Sequence, residues 1–180
     1  VTVTYGSGSA ANANVGTYTN SIVLSALTGG SGGFLAGNYT ITYNSANIVV
    51  NPKVLTLSGA DANHKIYNGN TIAVLNGGVS LVGGVEVGDD CTLDATGATG
   101  TFASPNVANG INVTISGYAL VGAQAGNYSL TQPSSVSKNI TAKALTITAN
   151  TINKQYGDVL TTGPGKTAFS SSGLVAGETI

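Results

Sequence analysis

Apolar and small polar residues alternate with a period of two along most of this 180-residue chain. Residues 39–43, 111–115 and 145–148 show the pattern most clearly, with isoleucine, valine, leucine or tyrosine separated by threonine or asparagine. Successive side chains of a strand point to opposite faces, so this alternation is typical of half-buried strands. No stretch shows the 3.6-residue period of an amphipathic helix. The alternation therefore predicts an all-β, antiparallel fold.

Clusters of glycine and asparagine separate the alternating segments about every 8–12 residues. They lie at residues 29–33, 68–70, 76–78 and 109–110. Glycine and asparagine adopt positive φ at little cost, which tight turns between antiparallel strands require. Short strands at this spacing favour a Greek-key, Ig-like β-sandwich. A β-grasp-like fold is the alternative, and its helix would fall near residues 83–90 or 174–178.

Four short motifs recur in the same order after 89 or 90 positions. The pairs are 36–40 with 125–129, 52–57 with 142–147, 65–69 with 154–158, and 83–89 with 173–178. Repetition at a fixed period is the sequence signature of a modular array. The motifs therefore predict tandem β-sandwich modules of about 90 residues each.

The motif order places one complete module at residues 54–143. Residues 144–180 carry the motifs of a module's front half, and residues 1–53 carry those of its back half. Ile180 followed by Val1 continues the alternating pattern, so the chain resembles one period of an array cut within a module. We therefore expect the self-contained core in residues 54–143. The two half-modules should be poorly enclosed within one chain and completed by neighbouring copies, because unpaired strand edges and apolar faces invite pairing.

The chain carries little charge, with 6 lysines, no arginine, 7 acidic residues and a formal net charge of −1. Scattered lysines cannot form the basic footprint that phosphate neutralisation needs, so nucleic acid is not expected as a partner. The same scarcity argues against a polybasic membrane contact. No apolar run approaches the roughly 20 residues of a membrane helix, so we expect no membrane insertion by this segment.

Catalytic groups are scarce in the sequence. His64 is the single histidine and lies in a turn with Asp61, without the Gly-x-Ser-x-Gly nucleophile elbow of a hydrolase. The interpretation is a solvated loop histidine, and the chain is predicted not to be an enzyme. Cys91, the single cysteine, is interpreted as a small buried hydrophobe, with a reactive thiol or a bridge between chains as alternatives.

More than half of the acidic residues fall within nine consecutive positions. They are Glu86, Asp89, Asp90 and Asp94. Calcium accepts loop carboxylates and carbonyls, so these residues are weak calcium candidates. They match no calcium-loop spacing, and the alternative is a solvated turn beside a strand edge. No other cofactor is predicted.

Several residues occupy matched positions in the repeated motifs. They are Tyr67 with Tyr156, Tyr39 with Tyr128, and Asn38 with Asn127. The Gly-Asn pair suits a turn, and the tyrosine that follows can anchor the returning strand in the core. An aromatic residue at matched positions is more often a core anchor than a sugar platform, so these residues are predicted to be structural anchors.

These motifs resemble the MBG and YDG repeat domains of very large bacterial surface adhesins, of the filamentous-haemagglutinin-like or gliding-adhesin-like kind. The segments that resemble the YDG type are 65–69, 88–90 and 125–131, which makes 54–143 a complete YDG-like module. The segments that resemble the MBG type are 156–158, 172–178 and 15–18, which makes 1–53 and 144–180 MBG-like halves.

The resemblance implies an extracellular protein of the bacterial cell surface without an enzymatic role. It implies a structural repeat unit of an extended adhesin stalk or filament that assembles head-to-tail with neighbouring repeats, and it names no adhesive target. A lectin-like or calcium-stiffened ligand-binding module of a surface protein is the alternative.

Overall fold

The computed structural model describes residues 1–163 and 168–180, with about 41% of the residues in strands. The strands are β1 (Thr2–Tyr5), β2 (Gly16–Ser25), β3 (Ala46–Val50), β4 (Lys53–Ser58), β5 (Asp61–Ala62), β6 (Lys65–Ile66), β7 (Ile72–Ala73), β8 (Leu75–Asn76), β9 (Ser80–Val82), β10 (Thr92–Asp94), β11 (Thr99–Phe102), β12 (Ala108–Ser116), β13 (Ala119–Val121), β14 (Tyr128–Leu130), β15 (Val136–Thr141), β16 (Thr146–Ala149) and β17 (Phe169–Ser172). The described residues also form two 3-10 turns, Ala36–Asn38 and Ala125–Asn127, but no α-helix. The all-β prediction is confirmed, and the architecture is consistent with a sandwich-like fold. Residues 83–90 and 174–178, where a β-grasp module would need its helix, form turns and irregular backbone.

The chain divides into two compact units, and the first contains the sheet around strand β4. This unit comprises Val1–Ser58, Val79–Gly97 and Tyr118–Gln132. Its sheets have the strand orders β1-β2-β3, β14-β4-β9 and β10-β13. Strand β4 is central in its sheet, parallel to β14 and antiparallel to β9. Leu55 of β4 is fully buried and forms one hydrophobic cluster with Cys91 and Tyr128.

The second unit contains the largest sheet, of strand order β6-β15-β12-β11-β7. The unit comprises Gly59–Gly78, Ala98–Gly117 and Pro133–Ile180. The strand pairs β5-β8 and β16-β17 also belong to it. Its buried hydrophobic residues are Ala62, Ala73, Phe102, Ile111, Val113, Ile115 and Ile140. Buried and exposed positions alternate along the second half of β12, as a half-buried strand requires.

Burial is concentrated in the middle of the sequence. Every buried hydrophobic residue of the described chain lies between Leu55 and Ile140. Outside that span, the described residues include one buried residue, Ser21. These buried residues belong to both compact units, and the three predicted modules with their boundaries stay a prediction.

The strand pairs β4-β9 and β16-β17 have the same register. Thr56 opposes Val82 in the first pair, and Thr146 opposes Ser172 in the second, so both partners are displaced by 90 positions. The two pairs therefore share one antiparallel register, which the repeated motifs alone did not reveal.

A glycine of positive φ follows each of these pairs. Gly83 has a φ of 110° and Gly173 a φ of 107°. A Cβ atom at Gly83 would meet the carbonyl oxygen of Val54, and one at Gly173 would meet that of Ala144. Both positions therefore require glycine for its φ and for the close approach of a strand.

Strands β2 and β12 carry a bulge at matched places opposite β3 and β15. One residue in each bulge has positive φ, Asn20 at 53° and Gly110 at 69°. The N–H of each donates to an asparagine on the paired strand. Asn20 N–H donates to Asn47 Oδ1 at 3.0 Å, and Gly110 N–H donates to Asn139 Oδ1 at 2.9 Å. Bulges favour residues that tolerate positive φ, which asparagine and glycine do. Two regions of the chain thus share this local structure, whereas the tandem array stays a prediction.

Candidate functional site

The hydroxyl of Tyr128 links strand β14 to the turn that follows β9. Tyr128 comes directly after the 3-10 turn Ala125–Asn127 and is 7% exposed. Its hydroxyl accepts the Glu86 N–H at 2.9 Å and donates to the Asp89 carboxylate at 2.6 Å. The bond to Asp89 raises the pKa of Tyr128, because loss of the proton would place two negative charges together. The contact therefore fastens a strand to a turn at neutral pH.

A cavity of about 490 Å³ opens beside this tyrosine within the first unit. Its polar lining includes Asn12, Asn14, Lys53, Glu86, Gln124 and Asn127. Lys53 and Glu86 form an exposed ion pair at 2.6 Å, and such pairs contribute at most about 1 kcal/mol. Side-chain amides outnumber charged groups in the lining, so the cavity suits a neutral polar ligand better than an ion.

Asn127 connects this cavity to the loop before β2. Its Oδ1 accepts the Val15 N–H at 2.9 Å, and its Nδ2 donates to the Asn14 Oδ1 at 2.9 Å. Both functional atoms of the amide are therefore used within the first unit, which is the behaviour of a structural group.

The four acidic residues considered for calcium have separate partners. Glu86 binds the Lys53 ammonium, Asp89 the Tyr128 hydroxyl, Asp90 the Ala123 N–H and Asp94 the Thr96 N–H. Among the described residues, no group of three or more histidine, cysteine or acidic side chains could hold a metal ion. Each of these carboxylates accepts a hydrogen bond in or near its own turn, and their geometry gives no support to a calcium site.

The matched anchor residues lie in different surroundings. Tyr39, the counterpart of Tyr128, is 62% exposed and stacks on Phe34 with ring centroids 5.2 Å apart. Tyr156 is fully exposed, and Asn38 is exposed as well. The two members of a matched pair therefore lie in different environments, one contacting a turn or loop and the other exposed.

A second tyrosine–carboxylate pair occurs within the second unit. The Tyr67 hydroxyl donates to Glu178 Oε1 at 2.5 Å, and the Val175 N–H donates to Glu178 Oε2 at 3.2 Å. The Tyr67 bond lowers the pKa of Glu178 and raises that of Tyr67. The turn at residues 175–178 has the same backbone hydrogen bond as the turn at residues 86–89. The Glu178 N–H donates to the Val175 carbonyl at 3.0 Å, and the Asp89 N–H donates to the Glu86 carbonyl at 3.1 Å.

The groups considered for catalysis have structural partners. His64 Nδ1 accepts the Asn139 N–H at 2.8 Å, and the Asp61 carboxylate lies 2.8 Å from the Lys138 ammonium. The Cys91 thiol is 6% exposed, and burial raises its pKa, as do the neighbouring aspartates. A buried thiol with a raised pKa is a poor nucleophile. Within the described part of the chain, these groups therefore position turns and strands, and none of the three is paired as a nucleophile with a base.

Lys65 is a structural site that the sequence interpretation missed. Its ammonium donates to the Asn68 Oδ1 at 2.9 Å and to the Asn70 carbonyl at 2.6 Å. It also lies 5.1 Å from the centroid of the Phe102 ring. Partial burial lowers its pKa. The Asn-Gly-Asn sequence marked a turn, but only the fold shows that its oxygens converge on Lys65.

These features define an all-β protein in which tyrosine hydroxyls fasten strands to turns that carry carboxylates. Comparison with protein families matches residues 51–136 to the YDG domain, a span of just under half the chain. A search of curated proteins and a search of solved structures each found no match. No helix in the described ranges is long and apolar enough to cross a membrane.

The family match corrects the resemblance drawn from the motifs. Residues 51–136 match the YDG domain, and nothing ties that domain to the MBG repeats of bacterial surface adhesins. The assignment to the MBG repeats of bacterial adhesins is therefore wrong, whereas the match at residues 51–136 supports the YDG part of the resemblance. The motifs that suggested this assignment were short and built of common turn residues, which occur wherever a Gly-Asn turn leads into an anchored strand.

Proposed function

We propose that this chain is a non-catalytic structural repeat unit of an extended extracellular stalk or filament, assembling head-to-tail with neighbouring copies. The supporting observation is the unequal burial of equivalent residues. Leu55 is fully buried, whereas its counterpart Leu145 is 47% exposed. Tyr128 is 7% exposed, whereas Tyr39 is 62% exposed. Repeats that contact their neighbours need those neighbours to cover their apolar surfaces.

The exposed apolar residues support the same proposal. Eight large apolar side chains are exposed in residues 1–53, and seven are exposed in the described part of residues 144–180. Apolar surface and free strand edges favour association. With 7% charged residues, the chain has little electrostatic repulsion to oppose it. An adhesive role at a cell surface belongs to this proposal and rests on the repetitive, charge-poor sequence.

Sedimentation velocity over a concentration series tests the assembly. The average mass should rise continuously with concentration, because a head-to-tail contact does not close. Two chains joined in tandem should unfold at a higher urea midpoint than one chain, because interfaces between repeats add stability. A monomer at every concentration, with no gain in the tandem protein, would refute the proposal.

A lectin-like ligand-binding role is the second candidate, and the cavity of about 490 Å³ is the observation that favours it. Amide side chains can donate to and accept from the hydroxyl groups of a neutral sugar. Calorimetric titration with neutral oligosaccharides should then show binding that Asn12→Ala weakens. The absence of binding to any sugar of the panel would remove this candidate.

A further inference from the structure

The pairing of β14 with β4 provides a template for strand docking. The two strands are parallel, with Tyr128 opposite Lys53 and Leu130 opposite Leu55. The Thr131 N–H extends the pairing by donating to the Leu55 carbonyl at 2.9 Å. Residues 128–131 thereby complete the sheet beside the first half of β4.

The equivalent segments of the chain do not form these strands. Strand β16 begins at Thr146, so residues 143–145 are outside it, although their counterparts 53–55 belong to β4. Residues 39–42, the counterparts of 128–131, are also outside any strand. The sequences Tyr-Thr-Ile-Thr and Tyr-Ser-Leu-Thr have similar strand propensity, so propensity does not explain the difference. The difference lies in the pairing: residues 128–130 pair with β4, whereas residues 39–42 have no strand beside them in the described structure.

We propose that residues 39–42 of one copy dock as a parallel strand on residues 143–145 of a second copy, a contact that rests on the function proposed above. In the template's register, Tyr39 opposes Lys143, and Ile41 opposes Leu145. The second copy is the expected occupant because this chain contains both strands of the pair and an internal example of their register. Docking buries Leu145 and Tyr39 in the way that the pairing of β4 with β14 buries Leu55 and Tyr128.

The turn at Glu178 carries the same two hydrogen-bonding groups that bind the Tyr128 hydroxyl in the template, an N–H and a carboxylate. In the template, the tyrosine hydroxyl accepts the N–H that opens the turn and donates to the carboxylate that closes it. In the second unit the matched N–H, that of Val175, is bound by Glu178 itself at 3.2 Å. On docking, the Tyr39 hydroxyl inserts between them, accepts the Val175 N–H and donates to Glu178. One long hydrogen bond is thus replaced by the two bonds of the template.

Two full chains joined in tandem test this contact with an internal control. Tyr39 of the second copy can dock on the first copy, whereas Tyr39 of the first copy has no strand to dock on in dilute solution. Tyr39→Ala in the second copy should lower the melting temperature by roughly 2–4 °C. The same substitution in the first copy should change it by less than about 1 °C. Leu145→Ala should show the reverse asymmetry, with the larger loss in the first copy.

The outcomes separate this contact from the proposed function. Equal effects of Tyr39→Ala in the two copies would overturn the docking. If the tandem protein keeps its higher midpoint and tolerates both substitutions, neighbouring copies associate through another surface, so the docking fails and the structural-repeat function stands. If the tandem protein unfolds at the midpoint of a single chain, both fail. Tyr39→Phe in the second copy should cost less than Tyr128→Phe in a single chain, since the Val175 N–H can return to Glu178 when the Tyr39 hydroxyl is absent.

Discussion

Strands β4 and β16 are similar sequences in two surroundings. Each pairs antiparallel in the same register, β4 with β9 and β16 with β17. Only β4 has a parallel neighbour on its other edge, among the pairings of the described residues. Leu55 is fully buried there, whereas Leu145 beside β16 is 47% exposed. The comparison teaches that the antiparallel pair forms in both places, while burial of the leucine depends on a third strand contributed from far along the sequence.

Truncation of the two matched leucines should show the largest difference. Leu55→Ala should lower the free energy of unfolding by about 2–5 kcal/mol, because buried contacts are lost and a cavity remains. Leu145→Ala in a single chain should cost less than about 1 kcal/mol, because nearly half of its surface is exposed. Urea unfolding followed by circular dichroism measures both values. Equal costs would show that Leu145 is covered within one chain, and the comparison would be wrong.

Removal of the matched tyrosine hydroxyls should give a smaller difference. Tyr128→Phe should cost about 1–3 kcal/mol, because the Glu86 N–H and the Asp89 carboxylate each lose a partner. Tyr39→Phe in a single chain should stay within about 0.5 kcal/mol, since the Tyr39 ring is largely exposed. The same urea series applies, with the fully exposed Tyr156→Phe as the control. A neutral Tyr128→Phe would contradict the anchoring role of the hydroxyl.

The sequence predicted most strands better than it predicted their partners, but the strand expected at residues 39–43 is absent, because no partner strand pairs with it. Alternation in β12 indicated that Ile111, Val113 and Ile115 share one face, and all three are buried. The motifs also identified Tyr39 and Tyr128 as equivalent residues. Their different burial could not be predicted, because it depends on pairing between segments more than 70 positions apart, such as β4 with β14.

Side-chain contacts across strands were the other limit. The hydrogen bonds of Asn47 and Asn139 to the bulges depend on the register between paired strands, which alternation alone does not specify. The repeated Asn-Ile pairs at 47–48 and 139–140 were a signal that could have led to them. The carboxylates of the acidic cluster were likewise recognised as turn residues, but their separate partners required the fold.

Acid should affect the turn at Glu178 in the second region. The pKa of Glu178 is lowered from its ordinary 4.5, chiefly by the hydrogen bond from Tyr67. A lowered carboxylate pKa contributes stability above the unfolded pKa, and that stability is lost as pH falls through the folded pKa. Stability should therefore change little between about pH 5 and 9 and decrease below about pH 4.5.

Urea midpoints at several pH values for the wild type and Glu178→Gln measure this dependence. The variant should show a weaker decrease in acid, and Asp61, whose pKa the Lys138 hydrogen bond lowers, should account for part of the remainder. An identical acid response of the two proteins would show that the Tyr67–Glu178 bond does not contribute to stability in solution.

The smallest effect is expected at Cys91, which shares the buried cluster with Leu55 and Tyr128. Cys91→Val replaces one small apolar side chain with another and should change the free energy of unfolding by less than about 1.5 kcal/mol. The matched position 89 residues later is Ile180, so the repeated pattern already accepts a branched aliphatic residue there. Because burial raises the pKa of the thiol, it should react slowly with a thiol reagent in the folded chain and rapidly in urea. Sedimentation with and without reductant completes the test, since dissociation on reduction would show that Cys91 bridges chains and that its burial in the first unit does not persist on assembly.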